Sequence, residues 1–192
     1  MSLLRQALAI VLGALLLGAC NQQTRFQGSD VTGAAIGGDF HLTDHTGKAR
    51  TLSDFRGKVV VIFFGYTQCP EECPTTLSRL AAAMHVLGSD ASRVQVLLIT
   101  VDPERDTREV LSQYVPAFNP TFLGLYGDAA ATADVAKEFK IIYQKQPGPT
   151  PGTYSMDHST GTFIFDREGR LRVYESYAQG PDVLAHDIRA LL

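Results

Sequence analysis

The chemistry of this 192-residue chain centres on two cysteines, Cys69 and Cys73. They are separated by three residues, and each is followed by a proline, Pro70 and Pro74. A thiolate can attack a disulfide or bind a soft metal ion, so the pair is suited to redox chemistry or to metal binding. A structural disulfide here would close too short a loop to add much stability. The sequence therefore indicates a functional thiol pair and leaves both functions open.

A predicted strand and a predicted helix flank the two cysteines. Residues 59–64 form a continuous apolar run that is typical of a strand buried on both faces. Residues 75–87 place their apolar side chains on one helical face. Because a residue before proline is disfavoured in the α conformation, we expect the helix to begin near Pro74, with Cys73 close to its N-cap. The partial positive charge at a helix N-terminus lowers thiol pKa values and would favour the thiolates.

The order of the predicted elements indicates an α/β fold. After the cysteines, the pattern predicts strands and helices at residues 94–101, 107–118, 122–126, 128–140, 162–165, 171–177 and 181–192. Residues 40–52 predict an N-terminal β-hairpin, and residues 146–152 a Pro/Gly-rich loop. This order is that of a single thioredoxin-like domain over residues 38–192, with a central mixed sheet flanked by helices and a β-hairpin extension.

The predicted sheet places further polar residues near the cysteines. Cys69 follows the first buried strand and Asp102 follows the second, so both are expected at the same edge of the sheet. His158 precedes the strand at 162–165, where thioredoxins place a cis-proline that faces their active-site cysteine. We therefore predict that His158 lies in a loop and directs its imidazole at the two sulfurs. Two thiolates and one imidazole suit copper, whereas zinc normally takes four ligands.

The N-terminal segment predicts export from the cytoplasm. Residues 7–18 form an uncharged apolar run that is too short to span a bilayer but suits a secretory signal. The sequence Leu17-Gly18-Ala19-Cys20 resembles the lipobox of bacterial lipoproteins, which implies cleavage before Cys20 and lipidation of that cysteine. We expect a signal peptide at 1–19, a flexible tether at 20–37 and a lipid anchor on a bacterial membrane, facing the periplasm or extracytoplasmic space. The alternatives are an ordinary signal peptide cut nearby and an uncleaved anchor.

Length and composition limit the classes of partner. The chain is 45% hydrophobic, which allows one domain with a sizeable core. Its 17 Lys and Arg residues are balanced by 20 Asp and Glu residues, giving a formal net charge of -3. Such a chain lacks the basic surface that nucleic acids require, so nucleic acid is excluded as an expected partner.

Three ordered motifs resemble the signatures of the Sco/SenC family. They are Gly65-Tyr66-Thr67-Gln68-Cys69-Pro70-Glu71-Glu72-Cys73-Pro74, Val101-Asp102-Pro103-Glu104-Arg105-Asp106-Thr107 and Asp157-His158-Ser159. The resemblance extends over residues 36–192 and implies a thioredoxin-like fold that binds copper through Cys69, Cys73 and His158. The family commonly has Asp after the first Cys-Pro, where this chain has Glu71, a change that keeps the charge.

The resemblance also implies a function. Sco/SenC proteins deliver copper to, or reduce thiols at, the dinuclear copper site of cytochrome c oxidase subunit II. We therefore expect a membrane-tethered copper metallochaperone that binds one Cu(I) or Cu(II) ion per chain, with that subunit or a similar copper-site client as partner. Asp102 and Asp157 are expected either to contact the site or a docked partner, or to be solvated loop charges.

The enzymatic alternative is a thiol–disulfide reductase. In this interpretation Cys69 is the nucleophile and Cys73 the resolving thiol, and a thiol reductant protein restores the pair. The two functions are compatible, because the cysteines of a copper-site client must be reduced before they bind metal. A peroxidase is less favoured, since the sequence has no separate signature for a peroxide site.

Overall fold

The computed structural model describes residues 25–177 and 179–192. The predicted signal peptide and Cys20 lie outside these residues. Within them, none of the helices is long and apolar enough to cross a membrane. The strands and α-helices of the described residues are β1 (Ser29–Asp30), β2 (Leu42–Asp44), β3 (Ala49–Arg50), β4 (Val59–Gly65), α1 (Glu72–Leu87), β5 (Val94–Thr100), α2 (Arg108–Tyr114), β6 (Leu123–Tyr126), α3 (Ala129–Glu138), β7 (Tyr143–Pro147), β8 (Tyr154–His158), β9 (Thr162–Phe165), β10 (Leu171–Glu175) and α4 (Pro181–Arg189).

Eight of the strands form one mixed sheet in the order β1-β10-β9-β4-β5-β6-β2-β3. The central strands β4, β5 and β6 are parallel to one another. On one side of them, β9, β10 and β1 pair antiparallel, and on the other side β2 and β3 do so. Helices flank this sheet, so the predicted mixed α/β architecture is confirmed. The N-terminal hairpin β2–β3 extends the sheet beyond β6, as the sequence predicts.

The two central strands carry the core. Every residue of β4 and of β5 is buried, which agrees with the largely apolar segments that predicted them. Burying a Val, Ile, Leu or Phe side chain contributes about 1.5–3 kcal/mol, so these strands hold the centre of the sheet firmly. The loops at their carboxyl ends therefore start from fixed points, and the functional residues lie on those loops.

The segment before residue 38 packs against the domain over much of its length. The backbone N–H groups of Gln27 and Gly28 donate to the Asp187 carboxylate at 2.8–3.0 Å. Strand β1 pairs with β10, and the Gly37 N–H donates to the Glu138 carbonyl. Residues 27–37 thus differ from the flexible tether expected there. The packing of this segment was not predicted, because its residues show no apolar periodicity and several of its contacts are made by the backbone.

A second, two-stranded sheet carries His158. Strands β7 and β8 pair with each other and with no other strand of the described residues, with Tyr143 opposite His158. The loop predicted at 146–152 is therefore mostly the tip of this hairpin, and His158 ends a strand instead of lying in a loop. Sequence analysis missed β7 because its residues are mainly exposed and polar, so no alternating apolar pattern marks it.

Candidate metal centre

The cysteine segment joins the carboxyl end of β4 to the start of α1. Helix α1 begins at Glu72, so Cys73 lies in its first turn, and the expectation of a start at Pro74 is wrong. Proline is tolerated in the first turn because the N–H that it lacks would have no helical partner. The N-cap residue, Glu71, makes no side-chain hydrogen bond to the first turn of the helix. Instead, the Cys69 sulfur accepts a hydrogen bond from the Cys73 N–H at 3.3 Å.

Gly65, the last residue of β4, allows the strand to approach the helix closely. A Cβ atom at this position would lie 2.9 Å from the Cys73 sulfur and 2.7 Å from the Phe63 ring. Any side chain at position 65 would therefore displace the sulfur. The glycine of the first sequence motif is thus required by the packing of the thiol.

The structure brings together the three residues predicted to bind metal. The sulfurs of Cys69 and Cys73 and a ring nitrogen of His158 all lie within 4.8 Å of one another. The Cys73 sulfur is 3.5 Å from His158 Nε2. On the other side of the ring, Nδ1 lies 3.0 Å from the Ser159 carbonyl oxygen, so Nδ1–H can donate to it. This tautomer leaves the Nε2 lone pair free to bind a metal ion.

The donor set fits a copper ion. Thiolate and imidazole ligands bind a metal at about 2.0–2.3 Å, so three of them in a plane lie roughly 3.5–4 Å apart. The observed separations need at most a small inward movement of the side chains. Two thiolates with one imidazole form a soft donor set, which favours copper over the harder metal ions. Copper would lie between the first turn of α1 and the end of β8.

The two thiols have opposite acidities. Hydrogen bonds from the Cys73 thiol and from the backbone N–H groups of Cys73 and Glu71 lower the pKa of Cys69 to about 5, although burial opposes them. The Cys73 thiol donates a hydrogen bond to the Cys69 sulfur and is completely buried, and both effects raise the pKa of Cys73 far above its usual range. At neutral pH the metal-free pair therefore holds a thiolate on Cys69 and a thiol on Cys73. Binding a metal ion through both sulfurs must release the Cys73 proton.

Aromatic rings enclose the imidazole. The Tyr66 ring meets the His158 ring edge-on at 5.7 Å between centroids, and the Phe63 ring does so at 6.3 Å. The Tyr66 hydroxyl accepts a hydrogen bond from the Met156 N–H, and the Met156 side chain is buried. Sequence analysis did not single out Tyr66, although it lies in the first motif three residues before Cys69.

The two aspartates proposed near the site have different surroundings. Asp102 is 1% exposed and accepts hydrogen bonds from Arg105 Nε and from the Tyr154 hydroxyl. Asp157 is exposed and accepts a hydrogen bond from Gln146 on the neighbouring strand. Because side chains alternate along a strand, Asp157 faces away from the side on which Met156 and His158 lie. Asp102 is thus part of the structure under the site, and Asp157 lies on the opposite surface of the hairpin.

Asp106 fixes the cysteine segment to the loop after β5, and sequence analysis missed it. Its buried carboxylate accepts hydrogen bonds from Thr67 N–H, from Thr67 Oγ1 at 2.6 Å and from Thr100 Oγ1 at 2.6 Å. Thr67 lies two residues before Cys69. Thr67 and Asp106 belong to the first and second quoted motifs, but only the folded structure shows that these two motifs contact each other.

The fold and this centre define a class: a thioredoxin-like domain with two thiols and one imidazole at the carboxyl edge of its sheet. The SCO1/SenC family model matches residues 29–192, which is most of the chain. This protein therefore belongs to the SCO1/SenC family, and the resemblance found in the sequence is confirmed.

Three comparisons illustrate the relationship. The copper-bound structure of Bradyrhizobium japonicum ScoI is 40% identical, covers 82% of this chain and 100% of its own, and superposes with a TM-score of 0.76. The solution structure of apo Sco1 from Thermus thermophilus is 40% identical over 90% of this chain and 100% of its own, with a TM-score of 0.78. The mitochondrial SCO2 homolog of Danio rerio is 38% identical over 154 residues, which are 79% of this chain. The chain spans 55% of the length of that homolog.

Proposed function

We propose that this protein binds one copper ion through Cys69, Cys73 and His158 and transfers it to the dinuclear copper site of cytochrome c oxidase subunit II or a similar client. The observation that carries the proposal is the convergence of these three donors within 4.8 Å. Copper-bound Sco structures from other organisms support copper as the metal. The description of Sco proteins as cytochrome c oxidase assembly proteins supports the client. A lipid anchor on Cys20 is part of this proposal and is checked by the mass of the mature N-terminus.

Unequal exposure of the ligands suits transfer of the ion as cargo. Cys69 is 9% exposed and His158 is partly exposed, whereas Cys73 is 0% exposed. A client thiolate can therefore approach from the side of Cys69 and His158. Cys73 then releases the ion last and takes back a proton, which its raised pKa favours. The order of ligand exchange follows from the depth of each donor.

A copper titration followed by transfer tests this function. We expect the reduced domain to bind about one copper ion per chain, because the three donors form a single site. After the loaded protein is mixed with the reduced, metal-free soluble domain of an oxidase subunit II and the two are separated, metal analysis should find copper lost from the former and gained by the latter. The control is the same amount of free copper with a chelator of matched affinity. Failure to bind copper, or transfer no faster than from the chelator, contradicts the proposal.

The second candidate function is thiol–disulfide reduction, and the arrangement of the two free thiols favours it. In the proposed reaction the Cys69 thiolate attacks a client disulfide, forms a mixed disulfide and releases one client thiolate, which takes up a proton. Cys73 then gives up its proton and attacks the Cys69 sulfur, which releases the second client thiol. The client gains two electrons and the pair becomes a disulfide. A dithiol reductant protein must supply two electrons for each further cycle.

A trapping experiment tests these roles. In the Cys73→Ser variant the resolving thiol is absent, so a client with its copper-ligand cysteines oxidised should form a stable covalent complex through Cys69. Because the pKa of Cys69 is lowered to about 5 in the parent, the rate at which iodoacetamide alkylates Cys69 in the parent should rise as the pH passes through about 5 and be level between pH 6 and 8. Mass spectrometry measures the complex. Cys69→Ser is the control and should form none; equal trapping by both variants refutes the assigned roles.

A further inference from the structure

The Arg105 side chain contacts both halves of the metal centre. Its Nη1 donates to Gln68 Oε1 at 3.0 Å and to the Tyr154 carbonyl oxygen at 2.8 Å. Gln68 immediately precedes Cys69, and Tyr154 begins the strand that His158 ends. One guanidinium group therefore joins the segment that carries the cysteines to the hairpin that carries the histidine.

Further contacts fix the orientation of this guanidinium. Its Nε donates to Asp102, whose other carboxylate oxygen accepts from the Tyr154 hydroxyl at 2.8 Å. The Tyr154 ring lies against the guanidinium, with 3.5 Å from its centroid to the Arg105 Cζ atom. Arg105 also lies 5.7 Å from the centroid of Tyr66, whose ring meets His158 edge-on. A planar group with several donors in a fixed arrangement can make all these contacts at once.

The hairpin needs such a contact because the main sheet does not hold it. Among the described residues, β7 and β8 pair only with each other. Cys69 and Cys73, in contrast, follow the buried central strand β4 and are tied by Asp106 to the loop after β5. The distance between the imidazole and the sulfurs thus depends on contacts that the hairpin makes with Tyr66 after β4 and with the loop after β5. Arg105, which neighbours Asp106 in the chain, makes several of them.

We propose that Arg105 is a positioning residue that sets the distance from His158 to the two sulfurs and thereby the geometry in which copper is bound. The proposal rests on the copper site proposed above. Arg105 does not contact the metal; it acts through Tyr154 on the hairpin and through Gln68 on the cysteine segment. This function depends on the planar guanidinium, whose Nε and Nη1 donate to different groups, and not only on its positive charge.

Two variants at this position distinguish the role of the planar guanidinium from the role of its positive charge. Arg105→Gln removes the charge, and Arg105→Lys keeps it, but a single ammonium nitrogen cannot pair with Asp102 and bridge Gln68 and the Tyr154 carbonyl at the same time. We expect Cu(II) to dissociate about tenfold faster from both variants, the magnitude typical of residues that orient metal ligands. The thiolate–copper absorption band and the electron paramagnetic resonance parameters of Cu(II) should shift as well, because both depend on the positions of the ligands.

A second measurement needs no copper. In the reduced, metal-free variants, amide hydrogen exchange at residues 154–158 should be faster than in the parent, and exchange within β4 and β5 should be unchanged. If the parent binds no copper, the proposed function fails, and hydrogen exchange still decides whether Arg105 holds the hairpin. If Arg105→Gln does not fold, Arg105→Lys supplies both measurements.

The matched control is Arg170→Gln. Arg170 likewise pairs with a buried aspartate, Asp166, but it follows β9 at the amino end of β4, on the edge of the sheet opposite the cysteines. This variant should keep the parent's copper spectrum, Cu(II) dissociation rate and hydrogen exchange at 154–158. The proposal is overturned if Arg105→Lys behaves like the parent, or if Arg170→Gln changes the copper site as much as the Arg105 variants do.

Discussion

The His158→Ala variant is expected to lose most of its affinity for both Cu(I) and Cu(II). The imidazole is one of three donors within 4.8 Å, and its Nε2 already lies 3.5 Å from the Cys73 sulfur. Removing a residue that merely orients a metal ligand costs about 10–100-fold, so removing a ligand should cost at least about 100-fold. Competition titrations with chelators of known affinity measure the dissociation constants of the reduced variant and parent. Disulfide formation between Cys69 and Cys73 should be largely unaffected.

The control for this experiment is His85→Ala. His85 is exposed in the last turn of α1, twelve residues after Cys73, which is about 18 Å along a helix. It therefore tests whether copper affinity depends on any histidine or on the one beside the sulfurs. Equal copper affinities for His158→Ala and the parent, or an equal loss in His85→Ala, would remove His158 from the ligand set.

The sequence predicts the central part of the fold because local and tertiary preferences agree there. Residues 59–64 are apolar without interruption and residues 94–101 are apolar except for Gln95 and Thr100, and both proved to be strands buried on both faces. The partly polar hairpin β7–β8 was missed, since its backbone pairing leaves no periodic pattern in the side chains. The helix start was misplaced by two residues, because the rule for residues before proline is weaker in the first turn, where the Cys69 sulfur accepts the Cys73 N–H.

In the candidate site, too, some residues could be predicted from the sequence and others could not. Cys69, Cys73 and His158 could be named from residue type, spacing and chain position, and the structure places their donor atoms together. The contacts of Arg105 and Asp106 could not be predicted, because they join segments more than thirty residues apart. Chemistry that belongs to a single residue is visible in a sequence. The contacts that position it depend on the three-dimensional arrangement of the loops.

Oxidation of the cysteine pair is expected to abolish copper binding. The two sulfurs are free and lie within 4.8 Å of each other, so a disulfide of about 2.05 Å requires only local movement of the cysteine segment. Its formation removes both thiolates and leaves one imidazole, which cannot retain copper against a chelator. We expect the stoichiometry to fall from about one copper per chain to near zero, and to recover fully when the disulfide is reduced. Metal analysis after gel filtration measures both values.

The control is the Cys69→Ser, Cys73→Ser double variant, which cannot form the disulfide and should bind little copper under reducing and oxidising conditions alike. Undiminished copper binding by the parent after stoichiometric disulfide formation would contradict the assignment of both sulfurs as ligands. The expected result has a consequence for the two proposed functions. Each reductase cycle leaves the pair oxidised, so a molecule that has just reduced a client cannot carry copper until its own disulfide is reduced. Both proposed functions start from the reduced pair, so the supply of reductant sets how many molecules can carry copper or reduce a client.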